Sequence, residues 1–206
     1  MIPLYLLSFV GGVGYLIWMV VTAVKRRWRR LAYQAAAAVA YVGLLFLLDS
    51  WHYRYAEAQY FRGLFGVAGK LPDPTFSYDS ERAFNGDGYS LAAFVLPPAV
   101  KAQFQSFGET MAAYPQRPDY RSHWKTSPWR KTPSASSDKR YIDFALTSSF
   151  GSNVTLEHQK AIRVLLSRDG SFFAYFYNEF EGYLGDIDLF VVDPANDRLY
   201  LINFNT

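Results

Sequence analysis

A two-span transmembrane helical hairpin followed by an α+β domain is the architecture this sequence predicts, on three observations. The first 48 residues contain no acidic side chain, and their only basic ones form the cluster Lys25-Arg26-Arg27-Trp28-Arg29-Arg30 between two apolar runs. Strand-like and helix-like patterns then alternate irregularly through the rest of the chain. The last three strand-like runs are consecutive, which points to an antiparallel sheet with helices packed on one face.

The apolar runs come first. A span takes roughly 20 apolar residues, and residues 2–24 satisfy that. Residues 31–48 are near the short limit, with Gln34 their only strongly polar side chain. A cleaved signal peptide carries its positive charge ahead of the apolar core, whereas here the charge follows it. Lys25, Arg26, Arg27, Arg29 and Arg30 set the topology: a short basic loop stays cytoplasmic, so loop 25–30 is expected inside and both termini outside. Trp28, Trp51, Tyr53 and Tyr55 suit interfacial belts. Gly11, Gly12, Gly14 and Ala35–Ala38 offer small residues for close helix packing.

Charge then separates the halves. All 18 acidic residues of the chain lie beyond residue 48, against 16 of its 21 basic ones, which leaves residues 49–206 at a net charge of −2. That balance argues against nucleic acid, whose binders carry a basic footprint. Cysteine is absent, which excludes thiol catalysis, Cys-based zinc sites and lipidation at an N-terminal cysteine. Asn153-Val154-Thr155 matches the glycosylation tripeptide, a pattern common by chance.

Residues 49–74 read as a juxtamembrane helix to about Phe65 and a Gly/Pro-punctuated linker. The α+β domain is expected over 75–206. Asn85-Gly86-Asp87-Gly88 is a turn, and Tyr89–Leu96 a buried strand. Val100, Phe104, Phe107, Met111 and Tyr114 recur at intervals of about 3–4, predicting one amphipathic helix over residues 98–114. Residues 115–140 are rich in Pro, Ser and basic charge and read as a long loop. Tyr141–Leu146 reads as a short strand. A helix capped by Thr155, with Glu157 in its first turn, buries Ile162, Leu165 and Leu166. Ser171–Asn178, Ile187–Val192 and Arg198–Phe204 complete the sheet.

Catalytic motifs are sparse. Gly88-Tyr89-Ser90-Leu91-Ala92 lacks the second glycine of a nucleophile elbow. His52, His123 and His158 have no second histidine at metal-ligand spacing, and His123 is of interest because it sits in the basic loop. Asp186 and Asp188 project from one face of a strand. Paired carboxylates serve hydrolysis or hold a cation, or they form a surface for a basic partner. The residues weighed highest for partner binding are Glu179, Glu181, Tyr183, Asp186 and Asp188, beside Phe180 and Leu184, with Trp124 and Trp129 from the basic loop. Aromatics bordered by charge are what protein interfaces use. No catalytic residue, metal ligand or cofactor is assigned.

Asn85-Gly86-Asp87-Gly88 before a strand, together with the terminal hairpin Tyr177–Phe204, resembles small uncharacterised bacterial envelope proteins. Some proteins of that look are immunity partners of secreted antibacterial toxins. The resemblance implies a binding module with no catalytic residues. The expectation is therefore an inner-membrane protein whose domain binds a protein partner in the periplasm, a delivered toxin or a subunit of an envelope complex. The alternatives are an envelope hydrolase, with Asp186, Asp188 and His123 the residues to test, and an assembly subunit that binds through its membrane helices.

Overall fold

The computed structural model describes residues 2–84, 86–147 and 153–206, with residues 2–11 and 153 as backbone. Asn85 of the predicted turn therefore lies outside the described residues. The chain forms two compact units, the first ending at Tyr55 and the second spanning Ala56–Thr206.

The first unit is helical. Helix α1 covers Ile2–Val24, and α2 begins at Trp28 and continues to Phe65. They are joined by a tight turn in which Arg26 takes a left-handed conformation (φ 52°). Among the described residues, Trp28–Phe65 is the one helix long and apolar enough to cross a membrane by length and composition, and Gly12–Val24 is a shorter apolar stretch. The small residues do not form the seam expected of them. A Cβ placed on Gly12 or Gly14 would meet nothing within 4 Å. The contact runs instead through Tyr15, whose hydroxyl donates to the Gln34 carbonyl at 2.8 Å.

The second unit is a six-stranded, wholly antiparallel sheet in the order β1-β2-β6-β5-β4-β3. Its strands are β1 Phe76–Asp79, β2 Gly88–Val95, β3 Lys125–Lys131, β4 Phe172–Phe180, β5 Tyr183–Asp193 and β6 Arg198–Asn205. Helices α3 (Pro98–Gln105), α4 (Lys139–Ala145) and α5 (Asn153–Ser167) complete the domain.

Helices cover both faces of this sheet, not one. Tyr89, Leu91, Phe173, Ile187, Leu189 and Ile202 pack with Ile142 of α4 and Ile162 and Leu166 of α5. On the opposite face Ala174, Phe176, Phe190, Val192 and Leu199 pack with Phe61, Leu64 and Phe65 of α2 and with Val100 and Phe104 of α3. The cause lies in the central strands. Residues 172–176 and 187–192 are buried without interruption, and a strand with both faces covered needs that continuous apolar run rather than alternation. The last turns of α2 thus belong to the domain, as do Val67 and Leu71 of the presumed linker, which pack on the same core.

Three local expectations are corrected. Residues 98–114 do not form one helix: α3 stops at Gln105, and a short 3-10 helix carries Met111 over Glu109–Ala113. The Ser106 hydroxyl bonds back to the Ala102 carbonyl at 3.0 Å, and the chain then turns so that Phe107 lies 4.8 Å from the Phe172 ring. Tyr141–Ala145 belong to α4, with Leu146 as its C-cap, and not to a strand. Six residues leave the period ambiguous, and an i,i+4 pair of Lys139 and Asp143 with an Arg163–Asp143 bond of 2.7 Å favours the helix. Residues 115–140 are not a structureless loop, because they contain β3. Pro128 hid that strand; it is tolerated because β3 is an edge strand with an irregularity between Ser127 and Arg130.

Segment 114–129 closes the end of α2. The final carbonyls of a helix lack intrahelical donors. Here the Gly63 carbonyl accepts from the Gln116 amide at 2.7 Å, and the Leu64 carbonyl accepts from Trp129 Nε1 at 2.8 Å. Gly66 adopts φ 73° and its amide donates to the Arg62 carbonyl at 2.8 Å. A Cβ there would meet the Tyr114 ring at 2.7 Å, so glycine is needed for conformation and space alike.

Trp129 is 2% exposed and contacts Phe65 and Phe104, with ring centroids 5.8 and 4.8 Å away. Trp129→Ala is expected to cost about 3–5 kcal/mol, a large share of the roughly 5–15 kcal/mol typical of a domain. Phe107→Ala, at a half-buried ring, should cost less. Chemical unfolding of the full chain in detergent measures both.

Candidate functional site

Strands β4 and β5 are joined by the two-residue turn Glu181-Gly182, with φ of 50° and 85°. Positive φ at both positions is the hairpin geometry that matches strand twist. Phe180 and Tyr183 face each other across this turn and are 74% and 78% exposed. Two large aromatic rings therefore stand in solvent at the end of a hairpin.

The tip is braced from beneath. Glu179 is half-buried and takes Lys125 Nζ at 2.8 Å and Arg140 at 3.6 Å. Arg140 also donates to the Gly182 carbonyl at 2.5 Å. The hydrogen bond with Glu179 raises the Lys125 pKa above its ordinary value, so Lys125 stays charged across the neutral range. Glu179 positions the turn, whereas Glu181 is exposed on the turn itself.

Below the tip, polar residues form rows across the α2-bearing face. Asp79, Ser90, Asn203 and Asp188 are register neighbours on β1, β2, β6 and β5. Asp188 is only 4% exposed. One of its oxygens accepts from Asn203 Nδ2 at 2.6 Å and the other pairs with Arg121. The Arg121 guanidinium lies 4.1 Å from the Trp124 ring centroid. Arg82 extends the row to Asn203 and Asp79 at 3.3 and 3.4 Å. In the next row Asp186 is half-buried and accepts from Asn178 Nδ2 at 3.2 Å. Tyr60, Ser90, Tyr120, Arg121, Asp188 and Asn203 border a cavity of about 270 Å³.

This arrangement separates the two aspartates chemically. Both oxygens of Asp188 are engaged, by a cation and an amide, which suits a structural anchor rather than a base or nucleophile. Asp186 keeps one oxygen for other partners. Among the described residues, no group of three or more His or acidic side chains is arranged to hold a metal ion.

The remaining predicted contact residues lie elsewhere. Trp124 and Trp129 are core residues, 6% and 2% exposed, and are corrected accordingly: both rings are consumed in packing on the α2-bearing face, and Trp129 caps that helix. Their basic neighbours misled the reading, since Arg121 and Arg130 are themselves bound inside the domain. Arg130 bonds Asp138 at 2.6 Å, and Asp138 accepts from the Tyr175 hydroxyl at 2.9 Å. His123 is exposed beside Trp124 and shares no cluster with Asp186 or Asp188. Ser90 lies within β2, not at a strand-to-helix turn. Thr155 is buried and the Asn153 side chain of the glycosylation tripeptide lies outside the described residues.

Sequence reasoning passed over Arg121, Lys125 and Arg140, all counted as loop charge. The discernible signal was the imbalance itself, since a strongly basic segment beside an acidic hairpin invites pairing between them. Comparison of the chain with protein-family models, curated proteins and solved structures finds no match.

Asp188→Ala should cost about 3 kcal/mol, the low end for breaking a buried pair, because Arg121 keeps partial access to water. Asp186→Ala, which removes one part-buried hydrogen bond, should cost about 1 kcal/mol or less. Unfolding midpoints of the two variants in detergent give the comparison, and equal losses would contradict the division of roles.

Proposed function

We propose that this chain is a protein-binding module held at the bacterial inner membrane. Spans at 2–24 and 31–48 anchor it, loop 25–30 faces the cytoplasm, and the α+β domain works in the periplasm. The observation that carries the binding reading is the braced Phe180/Tyr183 tip, with Glu181 between the two rings. Aromatic anchors cost little conformational entropy on binding and dominate interface energetics, and flanking charge selects and steers the partner. A partner with an apolar cleft rimmed by basic residues fits this tip.

Two observations support the anchor. Leu16, Ile17, Trp18, Phe46 and Leu47 are all exposed, which suits side chains that face lipid. The turn between α1 and α2, together with the first residues of α2, carries five basic residues and no acidic one, as a cytoplasmic loop does. The concrete form of the reading is an immunity protein that neutralises a toxin delivered to the periplasm. That form rests on the sequence resemblance and on the tip together.

The test of binding is capture from envelope extracts by the full chain in detergent. Phe180→Ser with Tyr183→Ser should weaken partner retention by more than about tenfold while leaving the unfolding midpoint unchanged, since neither ring is packed. Asp186→Lys is the better charge probe than any change at Asp188, which would disturb folding. A partner held equally by wild type and the Ser/Ser variant would move the interface elsewhere. Turnover of an envelope substrate by the purified chain, with no partner captured, would replace binding by catalysis.

Topology has its own test. A reporter active only in the periplasm and fused after Thr206 should be active, and replacing Lys25, Arg26, Arg27, Arg29 and Arg30 by Gln should scramble its orientation. Activity of a cytoplasm-only reporter at the same place would reverse the proposed orientation.

A further inference from the structure

The turn of the helical hairpin holds a cavity of about 390 Å³, bordered by Lys25, Arg27 and Arg30 with Trp18, Tyr33 and Gln34. Its volume falls within the range of small-ligand pockets. Three cationic side chains converge on it, and each is exposed. Gln34 is different. It is only 6% exposed, and its side-chain oxygen Oε1 is buried with no hydrogen-bond partner. The neighbouring hydroxyls are already committed: Thr22 Oγ1 donates to the Trp18 carbonyl at 2.9 Å, and Tyr15 donates to the backbone carbonyl of Gln34. A buried acceptor left without a donor forfeits the hydrogen bonds that water gave it in the unfolded chain. Gln34 is also the only strongly polar side chain of the second apolar run, where a leucine would carry no such penalty.

A ligand that relieves Gln34 must bring a donor, and one that suits three cations must bring negative charge. We propose that this cavity binds the headgroup of an anionic phospholipid bearing hydroxyl groups, of the phosphatidylglycerol type. The phosphate lies among Lys25, Arg27 and Arg30, as in other basic pockets between membrane helices, and a glycerol hydroxyl donates to Gln34 Oε1. Trp18 and Tyr33 stand where interfacial aromatics meet the glycerol backbone of a lipid. A zwitterionic choline headgroup fits neither requirement, since it has no hydroxyl donor and adds a cation beside three others. The inference rests on the hairpin reading, and it gives the basic loop a role beyond setting orientation.

Native mass spectrometry of the full chain in neutral detergent tests it. The probes are phosphatidylglycerol, phosphatidylmethanol (the same charge without headgroup hydroxyls) and phosphatidylcholine, at equal concentrations. Wild type should retain one phosphatidylglycerol about tenfold more often than phosphatidylmethanol, the worth of one satisfied buried acceptor, and phosphatidylcholine least. Gln34→Leu should bring phosphatidylglycerol and phosphatidylmethanol to equal retention without lowering the unfolding midpoint. Arg27→Gln with Arg30→Gln should lose both anionic lipids. Equal retention of phosphatidylglycerol and phosphatidylcholine by wild type overturns the proposal. So does displacement of the lipid by millimolar glycerol 3-phosphate, which would make the ligand a free phosphate ester. The hairpin reading is judged separately. The natural chain has no cysteine, so Arg29→Cys can be labelled uniquely, and labelling by an impermeant maleimide in intact cells overturns the topology while leaving the detergent result interpretable.

Discussion

The closure of the α2 terminus by Trp129 is the contact on which the domain most depends. A buried indole N–H needs an acceptor, and the end of a helix has carbonyls that need donors. The 2.8 Å bond from Trp129 Nε1 to the Leu64 carbonyl satisfies both. The same ring fills the space between Phe65, Phe104 and Phe190. Gln116 and Gly66 cap the adjacent carbonyls, so edge strand β3 and the segment leading to it are fastened to the helix that covers their face. Without this closure, the sheet would expose the apolar surface of Phe176, Phe190 and Val192, which are now almost wholly buried.

Buried polar groups fix the rest of the architecture. Asp138 gathers Arg130, Tyr175 and the Ala135 amide, which ties β3 to β4 and to the start of α4. Burial and the bond to Asp138 push the Tyr175 hydroxyl up to about 12, so it stays a donor throughout the physiological range. On the other face Asp188 does the same for Arg121 and Asn203. In each case the carboxylate has a cation and a neutral donor, the combination that offsets the desolvation of a buried charge. These networks select one arrangement of strands and connecting segments, and they draw Arg121 and Arg130 partly into the domain, while the other basic side chains between residues 117 and 140 stay exposed.

Pairing between this basic segment and the acidic hairpin sets what the hairpin tip presents to solvent. Glu179 is held by Lys125 and Arg140, and Asp188 by Arg121, whereas Phe180, Glu181 and Tyr183 at the tip are exposed. The rigidity of that tip follows from the bracing beneath it.

The sequence by itself determined the helical N-terminal region, with its basic turn and apolar flanks, because composition over 20-residue windows is a strong signal. It also determined the antiparallel character of the domain and the strands at Tyr89–Leu96, Ser171–Asn178, Ile187–Val192 and Arg198–Phe204, where apolar runs are long and turn residues stand between them. Asp186 and Asp188 were placed on one strand face by period alone. Only the tertiary structure decided that helices cover both faces, that Lys125–Lys131 is a strand despite Pro128, and that Tyr141–Ala145 are helical. It also decided which aromatics are core and which are free. Trp129 and Tyr183 look alike in sequence, each an aromatic beside charge. One meets an uncapped helix end and the other meets solvent, and that difference is made by segments distant along the chain, which no local pattern encodes.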